Sequence, residues 1–139
     1  MSDQVSEEVR TFFEEFSRAG DTLDTTAIST QFADTFLSAD PSGTQPVPRS
    51  AFLAALPARE KLFASIGVGS IHLTSLTETR LDDHYILVDT RWQGTPATPG
   101  GEPLDLSSAY ILHRAPDGTL RIVFYLNHQD LREIVRARS

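Results

Sequence analysis

Near residue 70 the hydrophobic repeat of this chain changes from helical to alternating, which restricts it to folds that place helices first and a run of strands second. Before the change, "VSEEVRTFFEEFSRAG" sets Val5, Val9, Phe12, Phe13 and Phe16 at helical spacing, with Ser6 as N-cap and Gly20 as stop. A shorter helix starts at the Asp24 cap in "LDTTAISTQFAD", burying Ala27, Ile28 and Phe32 and ending near Asp34. "TFLSADPSGTQPVPR" reads as a short extended piece and a loop, because Pro41, Pro46 and Pro48 cannot continue a helix. Ser50 caps a third helical region in which Pro57 predicts a kink or a restart and Gly67 closes the pattern.

After the change, "SIHLTSLTETRL", "HYILVDTRWQG", "LDLSSAYILHRA" and "LRIVFYLNHQ" alternate as strands joined by short turns, with one long loop at "GTPATPGGEP". The fold class is α+β: three N-terminal helices packed on an antiparallel β-sheet, with residues 1–139 forming one domain. A chain of 139 residues buries roughly two-thirds of the surface it exposes when unfolded, enough for one core.

Composition removes several functions. With no cysteine, disulfides, thiolate metal sites and cysteine nucleophiles are excluded. A net charge of -7 argues against a nucleic-acid surface, and no apolar run suggests a membrane span. The start "MSDQVSEEVR" lacks the pattern of a secretion signal, so a cytoplasmic protein is expected. His72, His84, His113 and His128 do not approach zinc-site spacing, and "GVGS" lacks the context of a dinucleotide fingerprint, so neither metal nor cofactor is expected. The basic tail, with Arg132, Arg136 and Arg138, reads as a solvated or partner-facing end.

The turn "RAPDGTL" fixes facing. Pro116 suits position i+1 of a type I turn and Gly118 the left-handed position, so Ala115 pairs with Thr119. Regular alternation from there puts Leu106, Ser108, Tyr110 and Leu112 on one face with Ile122, Phe124, Leu126 and His128. Ile111, Val123 and Tyr125 fall on the opposite face, which the helices cannot also cover, and a homodimer through that outer face is expected.

Three helices, "FADTFLSADPSG" after the second, "VDTRW" on a middle strand and "APDGTLRIVFYLNHQDL" at the end resemble the nuclear transport factor 2-like superfamily. That superfamily includes ketosteroid isomerase, scytalone dehydratase and SnoaL-like polyketide cyclases. The resemblance implies a strongly curved sheet, a cystatin-like cone and an internal pocket for a small apolar organic molecule. It implies a wall or core formed by Phe12, Phe16, Phe32, Trp92, Phe124 and Leu126. Asp34 matches the isomerases' base by position, although the first helix offers no tyrosine where theirs supplies one. The cyclases and dehydratase suggest His128 as general acid or base, with Tyr110 as hydrogen-bond donor and Asp130 orienting the imidazole. Asp89 is either a pocket group or an ion-pair partner of Arg91 or a neighbouring strand. Two functions stand side by side: acid-base isomerisation, cyclisation or dehydration of an apolar ligand, and a non-catalytic ligand-binding or protein-interaction module.

Overall fold

A computed structural model describes residues 5–138; the first four residues, part of the start read above for a secretion signal, lie outside that range. The elements run α1 (Glu7–Thr22), α2 (Thr25–Thr30), β1 (Phe32–Asp40), β2 (Gly43–Pro48), α3 (Arg49–Ser65), β3 (Val68–Arg80), β4 (Tyr85–Pro96), β5 (Leu104–Arg114), β6 (Leu120–Asn127) and α4 (Leu131–Arg138). The six strands form one sheet in the order β2-β1-β6-β5-β4-β3. All pairings are antiparallel except β1 with β6, which is parallel.

The helix signals act largely as expected. Ser6 caps α1, its side chain accepting from the Val9 N–H, while its own N–H and O–H both donate to the buried carboxylate of Glu78 on β3, at 2.8 and 2.9 Å. That double bond pins the start of α1 to the sheet. Gly20 does not end the helix. The chain continues to Thr22, and Leu23 takes the left-handed conformation (φ 50°), which costs about 1 kcal/mol or more in a non-glycine residue. Asp24 follows at once as the cap of α2, accepting from Ala27 N at 3.1 Å. That helix closes at Thr30, and Phe32 already belongs to β1.

The proline-rich stretch is strand rather than loop. β1 and β2 form a hairpin whose turn is held by Asp40, which accepts from the Ser42 N–H at 2.8 Å. Pro46 and Pro48 sit on the sheet's edge strand, where a missing N–H breaks no ladder. α3 is one helix and not two. Pro48 precedes it without a side-chain cap, Ser50 lies within its first turn, and Pro57 stands exposed inside it. The basic tail forms α4, in which Arg138 donates to the carbonyls of Glu102 and Pro103 and Arg132 pairs with Asp130.

The decisive departure lies in the closing hairpin. Ala115 N–H donates to Thr119, Gly118 has φ 89°, and Leu112 faces Ile122 as expected. The next pair is Ile111 with Phe124, so Val123 is an extra residue in β6, a β-bulge. Beyond it the facing reverses, and Tyr110 pairs with Tyr125. Phe124, Leu126 and His128, expected inside, leave that face, and Tyr125, expected outside, enters it.

Leu37, Phe124, Ile111 and Leu87 consequently line up across β1, β6, β5 and β4 on the outer face. The inner face carries the main core, in which Val9, Phe13, Phe32, Ile86, Val88, Leu112 and Ile122 are fully or almost fully buried. A smaller cluster of Phe63, Val68, Leu104 and Leu106 receives Leu131 and Ile134 of α4. Gly94 is required there, since a Cβ would stand 2.8 Å from Val68 Cγ1.

Phe13 is fully buried, whereas Phe16 on the same helix is only partly so. Phe13→Ala should therefore lose about 3–5 kcal/mol of stability. Phe16→Ala should lose less than half of that, as measured by urea unfolding; equal losses would contradict this packing.

Candidate functional site

α1, α3 and the inner face of β3 to β6 enclose a cavity of about 350 Å³. Its walls are mainly apolar: Phe16 and Leu23 from α1 and its cap, Phe52, Leu56 and Phe63 from α3, and Leu106 from β5. Asp21 and Glu60, both exposed, are the two carboxylates on its border. The volume falls in the usual range for small-molecule sites.

One wall carries a chain of polar groups. Trp92 Nε1 donates to Thr90 Oγ1 at 2.7 Å and to Ser108 Oγ at 3.1 Å, and those two hydroxyls lie 2.7 Å apart. Ser108 Oγ in turn donates to Tyr110 Oη at 3.3 Å. The Tyr110 ring stacks on Tyr125, centroids 5.0 Å apart and planes 7° from parallel, and packs against Phe13 and Phe16. Burial pushes the Tyr110 phenol well above its ordinary pKa, with Tyr125 adding to the effect and the Ser108 hydrogen bond opposing it. Tyr110 is thus a neutral phenol at physiological pH.

Arg59 of α3 completes the site. Its Nη2 donates to Tyr125 Oη at 3.0 Å, and its guanidinium lies 5.8 Å from the centre of the Phe63 ring and 5.9 Å from that of Tyr125. The Tyr125 oxygen raises the guanidinium pKa against the opposing effect of burial, so the charge is permanent. Among the described residues no carboxylate forms an ion pair with it.

Of the residues singled out from sequence, the cavity brings together Tyr110, Trp92 and Phe16. Phe32 and Phe12 stand behind it, Phe32 in the core against Phe36 and Phe52 and Phe12 packed on that core. Phe124 and Leu126 lie on the outer face because of the Val123 bulge. His128 follows β6, exposed, and its backbone N–H donates to Ser107 O. Asp130 does not orient it; the carboxylate accepts from the Arg132 N–H at the start of α4. Asp34 is 91% exposed at its side chain and pairs with Arg49 at 3.0 Å, outside the cavity. Asp89 is exposed on the outer face, without an ion pair among the described residues. Sequence reasoning missed Arg59, Tyr125, Asn127 and the Thr90–Ser108 pair. The available signal was Arg59 lying four residues before Phe63 and three after Leu56, on the apolar stripe of α3.

No protein-family model matches the chain, and no curated protein matches it. Solved structures do. It is similar to Aln2 from a Streptomyces species at 20% identity, covering 96% of this chain and 99% of that one, with a TM-score of 0.68. It is also similar to an NTF2-like protein of unknown function from Pseudomonas putida at 16% identity, covering 88% and 84%, with a TM-score of 0.70. An NTF2-like protein with a cystatin-like fold from Novosphingobium aromaticivorans matches at 19% identity, covering 94% and 86%, with a TM-score of 0.68. At such identities the likeness establishes the fold: this chain has the cystatin-like α+β fold of the nuclear transport factor 2-like proteins.

Because the His128 side chain makes no hydrogen bond among the described residues and lies outside the cavity, His128→Ala should change unfolding stability by less than about 0.5 kcal/mol. It should leave binding of any cavity ligand unaltered in a titration; a loss of binding would return the imidazole to the site.

Proposed function

We propose that this protein binds a small, largely apolar organic molecule in the cavity between α1, α3 and the sheet. The single observation that carries the reading is the cavity itself, lined mainly by apolar side chains with a few polar groups, among them Ser108, Tyr110, Tyr125 and Arg59, an arrangement that orients an otherwise apolar guest. Binding is favoured over acid-base turnover by what stands around the interior. Proton abstraction calls for a positioned base, and the lining offers a neutral Tyr110 and a permanently charged Arg59, with its carboxylates, Asp21 and Glu60, exposed at the border. His128, Asp34 and Asp130, the acid-base candidates from sequence, stand outside.

The outer sheet face supports a second copy of the chain as partner. Among the described residues no helix covers the row Leu37, Phe124, Ile111 and Leu87, and Leu37 is 45% exposed. Asp89 and Arg91, exposed beside that row on β4, bring both signs of charge to the face, as a two-fold interface needs if it is to pair rather than repel. Phe124→Glu should sediment as a folded monomer where the wild type sediments as a dimer at micromolar concentration; a monomeric wild type would sink this part of the proposal.

The cavity is tested with N-phenyl-1-naphthylamine, an uncharged apolar dye. Its emission should rise on titration into the wild type while that of Trp92, the only tryptophan, falls. Leu56→Phe, which fills part of the cavity, should weaken the dye several-fold. A dye that does not bind, or that binds Leu56→Phe equally well, would rule the cavity out as its site. Mass spectrometry of the purified protein would then seek a retained natural ligand.

A further inference from the structure

The geometry points to an oxyanion-binding site formed by Arg59 and Tyr125, so that the guest of the cavity is an apolar molecule bearing one carboxylate. This inference rests on the cavity being a ligand site and adds the chemistry of what enters it.

A guanidinium inside a protein is ordinarily paired, because taking an unpaired charge out of water costs several kcal/mol. Arg59 is held in the lining by one hydroxyl and two aromatic faces, and has no carboxylate partner among the described residues. Of its five N–H donors one is used by Tyr125. The others are not sealed in protein: the one wholly buried side-chain polar atom lacking a partner among the described residues is Gln31 Oε1, elsewhere in the fold. Arg59 is half-buried and lines the cavity, which brings its guanidinium to the cavity's border.

Tyr125 makes the second half. Its hydroxyl oxygen accepts from Arg59, which leaves its own hydrogen to donate. One oxygen of a guest can then receive a neutral and a charged hydrogen bond together, the fork of the guanidinium matching a planar carboxylate. The stacked Tyr110 ring holds the Tyr125 ring from below. Asp21 and Glu60 border the same cavity and bring negative charge to it. They are solvated, so screening blunts their repulsion at physiological salt, whereas Arg59, half-buried between two aromatic rings, is screened less.

The test is displacement of N-phenyl-1-naphthylamine by 2-naphthoate and by 2-naphthamide, which differ in charge and scarcely in shape. With the wild type, naphthoate should compete at least about tenfold better. Arg59→Gln should abolish the difference while the uncharged amide competes as before, and Arg59→Lys, retaining charge without the fork, should keep part of it. Should Arg59→Gln fail to fold, Arg59→Lys and Tyr125→Phe, each weakening naphthoate more than naphthamide, decide the matter. Equal competition by acid and amide in the wild type, or a preference that survives Arg59→Gln, would overturn the oxyanion site and leave the cavity reading standing. Failure of the dye itself to bind would overturn both.

Discussion

One inserted residue, Val123, sets which side chains the cavity receives. A regular strand from the Gly118 turn would carry Phe124 inward and Tyr125 outward; the bulge exchanges them just past Ile122. The exchange reaches beyond β6. The neighbouring β1 shifts its own register between Phe32 and Leu37 against the same segment, so the bulge is accommodated on both sides. Inward, it provides Tyr125 as the stacking partner of Tyr110 and the acceptor for Arg59. Outward, it completes the apolar row that begins at Leu37. The polar and apolar surfaces with functional readings therefore have one common origin in local backbone geometry.

That dependence also explains what was legible beforehand and what was not. Element types, the Ser6 and Asp24 caps and the Pro116–Gly118 turn are written in short-range chemistry, where a few adjacent residues determine the backbone. The superfamily resemblance, carried by the closing hairpin and the stretch after α2, pointed to the fold correctly. A bulge has no such local mark here: "RIVFY" contains no glycine or proline and alternates as well as any strand. Facing was correct from Ala115 to Leu112 and Ile122, and every assignment that crossed Val123 was reversed. The edge strand failed for another reason. Pro46 and Pro48 argue against helix and against a central strand, yet are compatible with an edge, and whether a strand lies at an edge is decided by topology.

Arg59 lies in "LPAREKLF", where a charged residue in an amphipathic helix ordinarily signals the solvated side. In the fold it points with Leu56 and Phe63 into the apolar space. There it is half-buried, held by the Tyr125 hydroxyl and two aromatic faces, with no carboxylate paired to it among the described residues. The Ser6–Glu78 bonds fix the start of α1 to the sheet, and the left-handed Leu23 turns the chain at its end, where Leu23 lines the cavity.

The sheet's two margins are unequal. β2 ends in "PVP", so two of its residues offer no N–H to an approaching strand, whereas β3 at the other margin is thirteen residues long and contains no proline. Growth of an open fibre by strand addition needs two compatible margins on every molecule, one to receive and one to extend. Here β2 is the poorer receiver of the two. Joining two β3 strands side by side consumes both of the better margins and leaves the prolines outward, where further strand addition is disfavoured.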